Sequence, residues 1–120
     1  MIIRGDVYFV DLAATMAKEQ GWRRPVLVVS DDAINRQPLV ATVVVGTDSR
    51  HVPADYPTNV RVAAQESGLP RDTVFLCFQV RSLDPAWFVA ARSGQEGLAG
   101  RLPAARMAEV EQALRLVLGL

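Results

Sequence analysis

Cysteine and histidine are almost absent from this sequence, whose 120 residues include one of each, Cys77 and His51. A single cysteine cannot form an intrachain disulfide. The usual histidine and cysteine ligands of zinc cannot be assembled either, so no metal or other cofactor is expected. Cys77 lies in an apolar run, where a buried thiol is the usual finding. His51 lies in a proline-rich loop, where solvent exposure is expected.

Long apolar runs and a net charge are also missing. No run approaches the roughly 18 residues that span a membrane, and the N-terminus lacks the apolar stretch of a signal peptide. The chain is therefore expected to be cytoplasmic, and its length suits one domain over residues 1–120. Basic and acidic residues balance at 13 each, so no basic tail attracts nucleic acid. Lys18 is the only lysine, and the arginine excess suits phosphate and base edges but also fits a genomic composition bias.

Runs of β-branched and aromatic residues, separated by turn signals, predict a mainly β protein built as a small barrel. Ser30 is predicted to cap a short helical turn over 31–34. The run over 73–80 is apolar on both faces, which predicts a barrel interior on one side and a second surface, such as a subunit interface, on the other. The predicted strands cover residues 7–12, 26–29, 40–45, 59–63, 73–80 and 88–92.

The C-terminal segment predicts an amphipathic helix that begins after Pro103 and ends at Gly119. Charged and amide side chains fill the face opposite to its apolar residues. Those apolar residues recur at helical spacing: Met107, Val110, Leu114 and Val117.

Three side chains form a set that metal-free RNA cleavage requires. Glu19 and Arg24 lie five residues apart across a loop, and Thr47 follows the third predicted strand. Cleavage needs a base for the 2′-OH proton, a fixed positive charge near the phosphate, and a donor that orients a phosphate oxygen. Arg24 offers a permanent charge and is a poor proton donor. From these residues alone, a surface ion pair and a turn threonine are the simpler explanation.

The wider context favours the chemical interpretation. The segments RGDVYFVDL, EQGWRRPVLVVSDDAIN, VATVVVGTDS, YPTNVRV and ESGLPRDTVFLCFQVRSLD follow one another ahead of the terminal helix. In order and spacing they resemble the MazF/PemK family of toxin endoribonucleases along nearly the whole chain. The resemblance implies an SH3-like barrel of the CcdB/MazF type with a C-terminal helix. Several linked motifs are far more specific than any one of them.

The resemblance also implies a function and its partners. Members of this family cleave single-stranded RNA at short sequence motifs without a metal, leaving a 2′,3′-cyclic phosphate and a 5′-hydroxyl. They act as homodimers, and the extended tail of a cognate antitoxin, similar to MazE, blocks the RNA groove. The chain is accordingly expected to be such a toxin, acting on messenger RNA.

Individual residues carry over by position. Arg24 matches the family's catalytic arginine, Glu19 a glutamate that serves as base or orienting group, and Thr47 a hydroxyl residue near the phosphate. Gln79 matches the glutamine of the family's xQxR strand, with an RNA-positioning and a structural role equally open. Trp22 stacks on a base or covers the barrel mouth.

A basic groove is expected to include Arg24, Arg23 and Arg81, with an acidic surface elsewhere.

Departures from the family pattern occur at Ala17, where many members have glycine, and at Lys18, where some have histidine. Phe78 replaces an acidic residue that serves as base in one subgroup, so that version of the mechanism does not apply, and Glu19 is the candidate base that the resemblance leaves.

Two other functions remain open at this point. The CcdB family uses the same fold to bind and poison DNA gyrase and cuts nothing; in that case Glu19 and Arg24 are ordinary loop residues. An inactive relative that keeps only RNA or antitoxin binding is the other alternative, to which Phe78 gives some weight. The EQxxxRP loop is the feature that favours the nuclease.

Overall fold

The computed structural model describes residues 2–11, 23–37, 39–84, 86, 88 and 97–120. Within them, six strands form one antiparallel sheet in the order β4-β5-β3-β2-β1-β6. The sheet curls into a half-barrel, as expected for a mainly β fold with a terminal helix. The strands are β1 (Asp6–Asp11), β2 (Arg23–Val28), β3 (Ala41–Asp48), β4 (Asn59–Val62), β5 (Thr73–Leu83) and β6 (Leu98–Arg101).

Three α-helical segments lie wholly within the described ranges: α1 (Asp32–Asn35), α2 (Ala64–Ser67) and α3 (Ala104–Leu118). The predicted terminal helix is confirmed, because α3 follows Pro103 and ends at Gly119, whose φ of 72° is the left-handed conformation that glycine adopts easily. None of the helices in the described ranges combines the length and apolarity needed to cross a bilayer.

Apolar side chains cover both faces of the curled sheet, because residues alternate between its two sides along each strand. One cluster lies between the sheet and α3: Val7, Leu27, Val44, Val60, Val62, Leu69, Phe75, Cys77, Leu102, Met107, Val110 and Ala113. The second lies on the opposite face: Tyr8, Val10, Val26, Val28, Ala41, Val43, Val45, Leu83 and Phe88. The strands are thus fixed from both sides, which gives the side chains at their ends defined positions.

The third strand is longer than the sequence predicts. Gly46 was expected to end it, but β3 continues to Asp48 because Gly46 pairs with Phe75 and Thr47 pairs with Val74 on β5. Backbone pairing with a long neighbour outweighs the local turn signal here. Thr47 therefore lies on a strand, two residues beyond the buried Val45.

The predicted cap of the first helical turn was also wrong. The carboxylate of Asp31 caps α1 by accepting a hydrogen bond from the Ala33 amide at 2.9 Å. The Ser30 hydroxyl instead donates to Asn35 Oδ1 and accepts from the Thr42 amide at 3.0 Å. It thereby links α1 to the start of β3.

The last strand differs from the prediction over 88–92. Phe88 has helical backbone and packs on Tyr8 with a ring-centroid distance of 4.7 Å, while residues 89–92 lie outside the described part of the chain. Strand β6 pairs with β1, with Asp6 opposite Arg101. The Arg101 guanidinium donates to the buried Asp6 carboxylate at 2.7 Å, which joins the two strands at this point.

Candidate active site

Arg24 and Thr47 lie on neighbouring strands at the same end of the sheet. Val26 pairs with Val45 in the antiparallel β2–β3 ladder. Arg24 is two residues before Val26, and Thr47 is two residues after Val45, so alternation places both on one face. The ladder ends at Val26 and Val45, and Arg24 and Thr47 are the next residues on that face of the two strands. Two of the three residues proposed for cleavage are thus brought together by strand register.

The guanidinium of Arg24 is fixed by the backbone of β3. Its Nε donates a hydrogen bond to the Gly46 carbonyl oxygen at 3.3 Å, and the side chain is half-buried. This contact uses Nε, and no hydrogen bond of the two terminal nitrogens to another described residue is found. A planar guanidinium held in this way presents two parallel donors, the arrangement that binds a phosphate in a bidentate manner.

Close packing around position 46, whose carbonyl binds Arg24, requires a glycine there. A Cβ atom there would lie 2.9 Å from Thr73 Cγ2 and 3.0 Å from two carbons of the Phe75 ring. Phe75 is fully buried, so its ring has little room to move. The same residue therefore supplies the carbonyl that binds Arg24 and the space that lets β3 and β5 approach.

Gly46→Ala is expected to lower the free energy of unfolding by roughly 1–3 kcal/mol, the usual cost of overpacking a core. Urea denaturation of both proteins measures this loss. Adding Thr73→Ser removes the nearer contacting methyl and keeps the hydroxyl, which donates to the Arg71 carbonyl at 3.1 Å. The double variant should recover part of the lost stability. An equal loss with and without Thr73→Ser would show that the packing explanation is wrong.

Thr47 also contacts His51, a residue that sequence reasoning placed in an exposed loop. The Thr47 hydroxyl oxygen and His51 Nδ1 are 3.2 Å apart. His51 is exposed, as predicted, but it ends a 3-10 turn (Ser49–His51) that returns the chain to Thr47. The four-residue spacing is the only sequence signal for this contact, and it is too common to predict one.

Asp48 is the acidic residue that follows Thr47, and its carboxylate interacts with two arginines. Its carboxylate caps the 3-10 turn through the Arg50 amide at 2.9 Å, accepts from Arg50 Nη2 at 2.9 Å, and lies 3.8 Å from Arg71 Nε. The hydrogen bonds from Arg50, first of all, lower the pKa of Asp48 to about 2. Such a carboxylate is a weak proton acceptor at neutral pH.

The other residues predicted for the site lie apart from Arg24 and Thr47, or outside the described residues. Arg23 begins β2 with an exposed side chain. Arg81 pairs with Val43, four residues along β3 from Thr47, which corresponds to about 13 Å. Gln79 is half-buried where the β3–β5 register shifts. Glu19 and Trp22 are not among the residues that the structure describes.

Strand β5 buries both faces only over its first half. Thr73 to Cys77 are buried, as predicted, but Phe78 is 52% exposed and Val80 is 36% exposed. The predicted second surface is thus an exposed apolar patch made by these two side chains, here called the β5 patch. Clustered exposed apolar residues are typical of a protein–protein contact.

Cys77 is not a candidate nucleophile, and the described ranges hold no cluster of metal ligands. Cys77 is buried as predicted, and burial raises the pKa of its thiol to about 11. A protonated, inaccessible thiol cannot act as a nucleophile at neutral pH. In the same part of the chain, no three histidine, cysteine or acidic side chains cluster as a metal site would require.

Residues 3–118 match the family model described as "PemK-like, MazF-like toxin of type II toxin-antitoxin system". The chain is 40% identical over 84 residues to "Endoribonuclease EndoA" of Bacillus subtilis (strain 168), covering 70% of this chain and 72% of that protein. It is 36% identical over 120 residues to "Endoribonuclease MazF" of Staphylococcus epidermidis, covering 100% of this chain and 93% of that protein.

A solved structure has the same fold. It is titled "Endoribonuclease in complex with its cognate antitoxin from Mycobacterial species". The superposition has a TM-score of 0.73 at 25% identity and covers 100% of this chain and 97% of the other. The half-barrel with a terminal helix is therefore shared along the whole length of both chains.

Proposed function

The chain belongs to the family of PemK-like, MazF-like toxins of type II toxin–antitoxin systems, and from this premise we propose that it is a sequence-specific, metal-independent endoribonuclease. Its substrate is single-stranded RNA, including messenger RNA. The 2′-OH attacks the adjacent phosphorus, the bond to the 5′-oxygen of the next nucleotide breaks, and the products are a 2′,3′-cyclic phosphate and a 5′-hydroxyl. The relatives named as endoribonucleases support this function over gyrase binding.

The observation that carries the proposal is the placement of Arg24 beside Thr47. Arg24 balances the charge that grows on the phosphate as the 2′-oxygen attacks. Its Nε contact with Gly46 at 3.3 Å holds the guanidinium before the substrate arrives. Preorganised charge of this kind is commonly the largest single contribution to catalysis. Thr47 donates a hydrogen bond to a non-bridging phosphate oxygen and orients the group for in-line attack.

Glu19 acts as the general base that removes the 2′-OH proton. Its carboxylate is five residues before Arg24 in the sequence, and Phe78 stands where one subgroup of the family has an acidic base. Trp22 stacks on an unpaired base, and Arg23, Gln79 and Arg81 bind or position the RNA farther along the groove.

Two protein partners complete the proposal. The toxin acts as a homodimer, and the exposed β5 patch of Phe78 and Val80 supports a contact with another chain. A cognate antitoxin inhibits it by laying an extended tail over the RNA groove. The solved relative in complex with its antitoxin supports this partner.

Cleavage of a long single-stranded RNA in the presence of EDTA tests the function. Discrete fragments are expected, because each step assigned above uses side chains only. Their 5′ ends should accept phosphate from polynucleotide kinase without prior phosphatase treatment, which identifies a 5′-hydroxyl. The same sequence in a duplex is the control and should stay intact. An uncut RNA, or cleavage only after a divalent metal is added, would contradict the proposal, and DNA breaks with gyrase would favour the CcdB-like function instead.

A further inference from the structure

The contact between His51 and Thr47 has no part in the proposed cleavage steps. We infer that His51 is a positioning residue, which donates through Nδ1 to the Thr47 hydroxyl oxygen and thereby directs the hydroxyl proton toward the phosphate. The inference rests on the proposed function of Thr47. The distance of 3.2 Å from Nδ1 to Oγ1 suits a hydrogen bond.

The turn that carries His51 is held in place on three sides. Asp48 caps its beginning, through the Arg50 amide at 2.9 Å. The Ser49 amide donates to the Asp72 carbonyl at 3.0 Å, which joins the turn to the start of β5. Beyond the turn, Arg61 Nη2 donates to the Val52 carbonyl at 2.7 Å. An exposed side chain on a fixed backbone can hold its partner in one orientation at a low cost in entropy.

The direction of the hydrogen bond determines what Thr47 can do. A hydroxyl has one proton, and if that proton is donated to Nδ1, none remains for a phosphate oxygen. If Nδ1 carries a proton and donates it to Oγ1, the hydroxyl proton points away from the ring. Donation into the oxygen also polarises the hydroxyl, which strengthens the hydrogen bond that it makes in turn.

The surrounding charges leave the imidazole available for this role. Asp48 is the nearest acid in the turn, and its oxygens are engaged by Arg50 and Arg71. In the part of the chain that the structure describes, no carboxylate contacts the His51 ring, and Thr47 is its partner. Arg24 is bound to the carbonyl of Gly46, the residue before Thr47. Thr47 is therefore next in sequence to the residue that holds the guanidinium and in contact with the imidazole.

Three substitutions at position 51 distinguish loss of the hydrogen-bond donor from loss of side-chain volume. An asparagine can place its amide nitrogen where Nδ1 lies, whereas a glutamine places it near the position of Nε2. His51→Ala and His51→Gln should lower kcat by roughly 2- to 10-fold, the effect of one hydrogen bond, with KM unchanged. His51→Asn should retain most of the rate. Ser49→Ala, on the same turn, is the matched control and should match the wild type.

A double-mutant cycle tests whether the effect passes through Thr47. Once Thr47→Val has removed the hydroxyl, His51→Ala should cause no further loss of kcat, because the two residues act as one unit. Independent, multiplicative losses would overturn the inference. So would equal rates for the wild type and His51→Ala, or equal losses in the asparagine and glutamine variants.

The ring itself gives a readout that does not depend on cleavage. The ¹⁵N chemical shifts of the His51 ring distinguish a proton on Nδ1 from one on Nε2 alone. A protonated Nδ1 at the pH of the assay is expected, and a neutral ring protonated only on Nε2 would overturn the inference. If the wild type cuts RNA but these tests fail, only the role of His51 is lost. If the wild type cuts no RNA, the proposed function fails, and the inference fails with it.

Discussion

Arg24→Ala should lower the rate of RNA cleavage by roughly 100-fold or more, the usual cost of removing one preorganised donor from a charged transition state. The large expected loss follows from the way in which the protein holds Arg24. Arg24 is half-buried and bound through Nε to the Gly46 carbonyl at 3.3 Å, so its terminal nitrogens need no rearrangement when charge develops. Single-turnover rates on a short RNA that contains a mapped cleavage site measure the loss.

Arg24→Lys distinguishes geometry from charge. A lysine keeps the positive charge but cannot contact Gly46 and bind a phosphate in a bidentate manner at once. It should therefore restore only a small part of the rate. Arg23→Ala is the matched control, since Arg23 is adjacent on β2 but exposed. Its effect should be on RNA affinity rather than on the rate at saturation. An Arg24→Ala rate equal to that of the wild type would remove Arg24 from the proposed site.

Linked motifs predicted the family and much of the fold, and the match over residues 3–118 confirms the family. Strands with strong β-branched patterns, such as the one that contains Val26 and Val28, were found because burial on both faces leaves a clear signal. Strand β6, with the sequence Leu-Ala-Gly-Arg, has no such signal. It exists because β1 offers an edge and Asp6 binds Arg101, a contact between residues 95 positions apart.

Within the site, only contacts that follow from regular strand pairing could be predicted from the sequence. Arg24 and Thr47 lie near each other because β2 and β3 pair through Val26 and Val45, each two residues away from one of them. The position of Arg81 depends on the register shift in the β3–β5 ladder, and no local sequence pattern predicts that shift. The contact of His51 with Thr47 depends on tertiary bonds from Asp72 and Arg61 to the turn. Such long-range bonds are invisible in one sequence.

Asp48, the acid next to Thr47 in the sequence, is poorly suited to be the general base. Asp48 is adjacent to Thr47, but Arg50 and Arg71 hold its carboxylate and its pKa is lowered to about 2. A base with so low a pKa removes a hydroxyl proton inefficiently at neutral pH. On β5, Phe78 occupies the position where an acid would otherwise be available, and its side chain is exposed. We therefore keep Glu19, five residues before Arg24 in the sequence, as the proposed base.

Glu19→Gln should reduce kcat/KM by roughly 10²- to 10⁴-fold, the range for loss of a general base. A carboxylate base must be ionised, so the wild-type rate should fall as the pH drops through the pKa of Glu19. In the Gln variant this low-pH limb should disappear, because the amide does not titrate. Glu109→Gln is the control, since Glu109 pairs with Arg106 on α3 at 3.0 Å, and it should leave rate and profile unchanged. If Glu19→Gln keeps the low-pH limb and His51→Asn loses it, the base is the imidazole rather than Glu19.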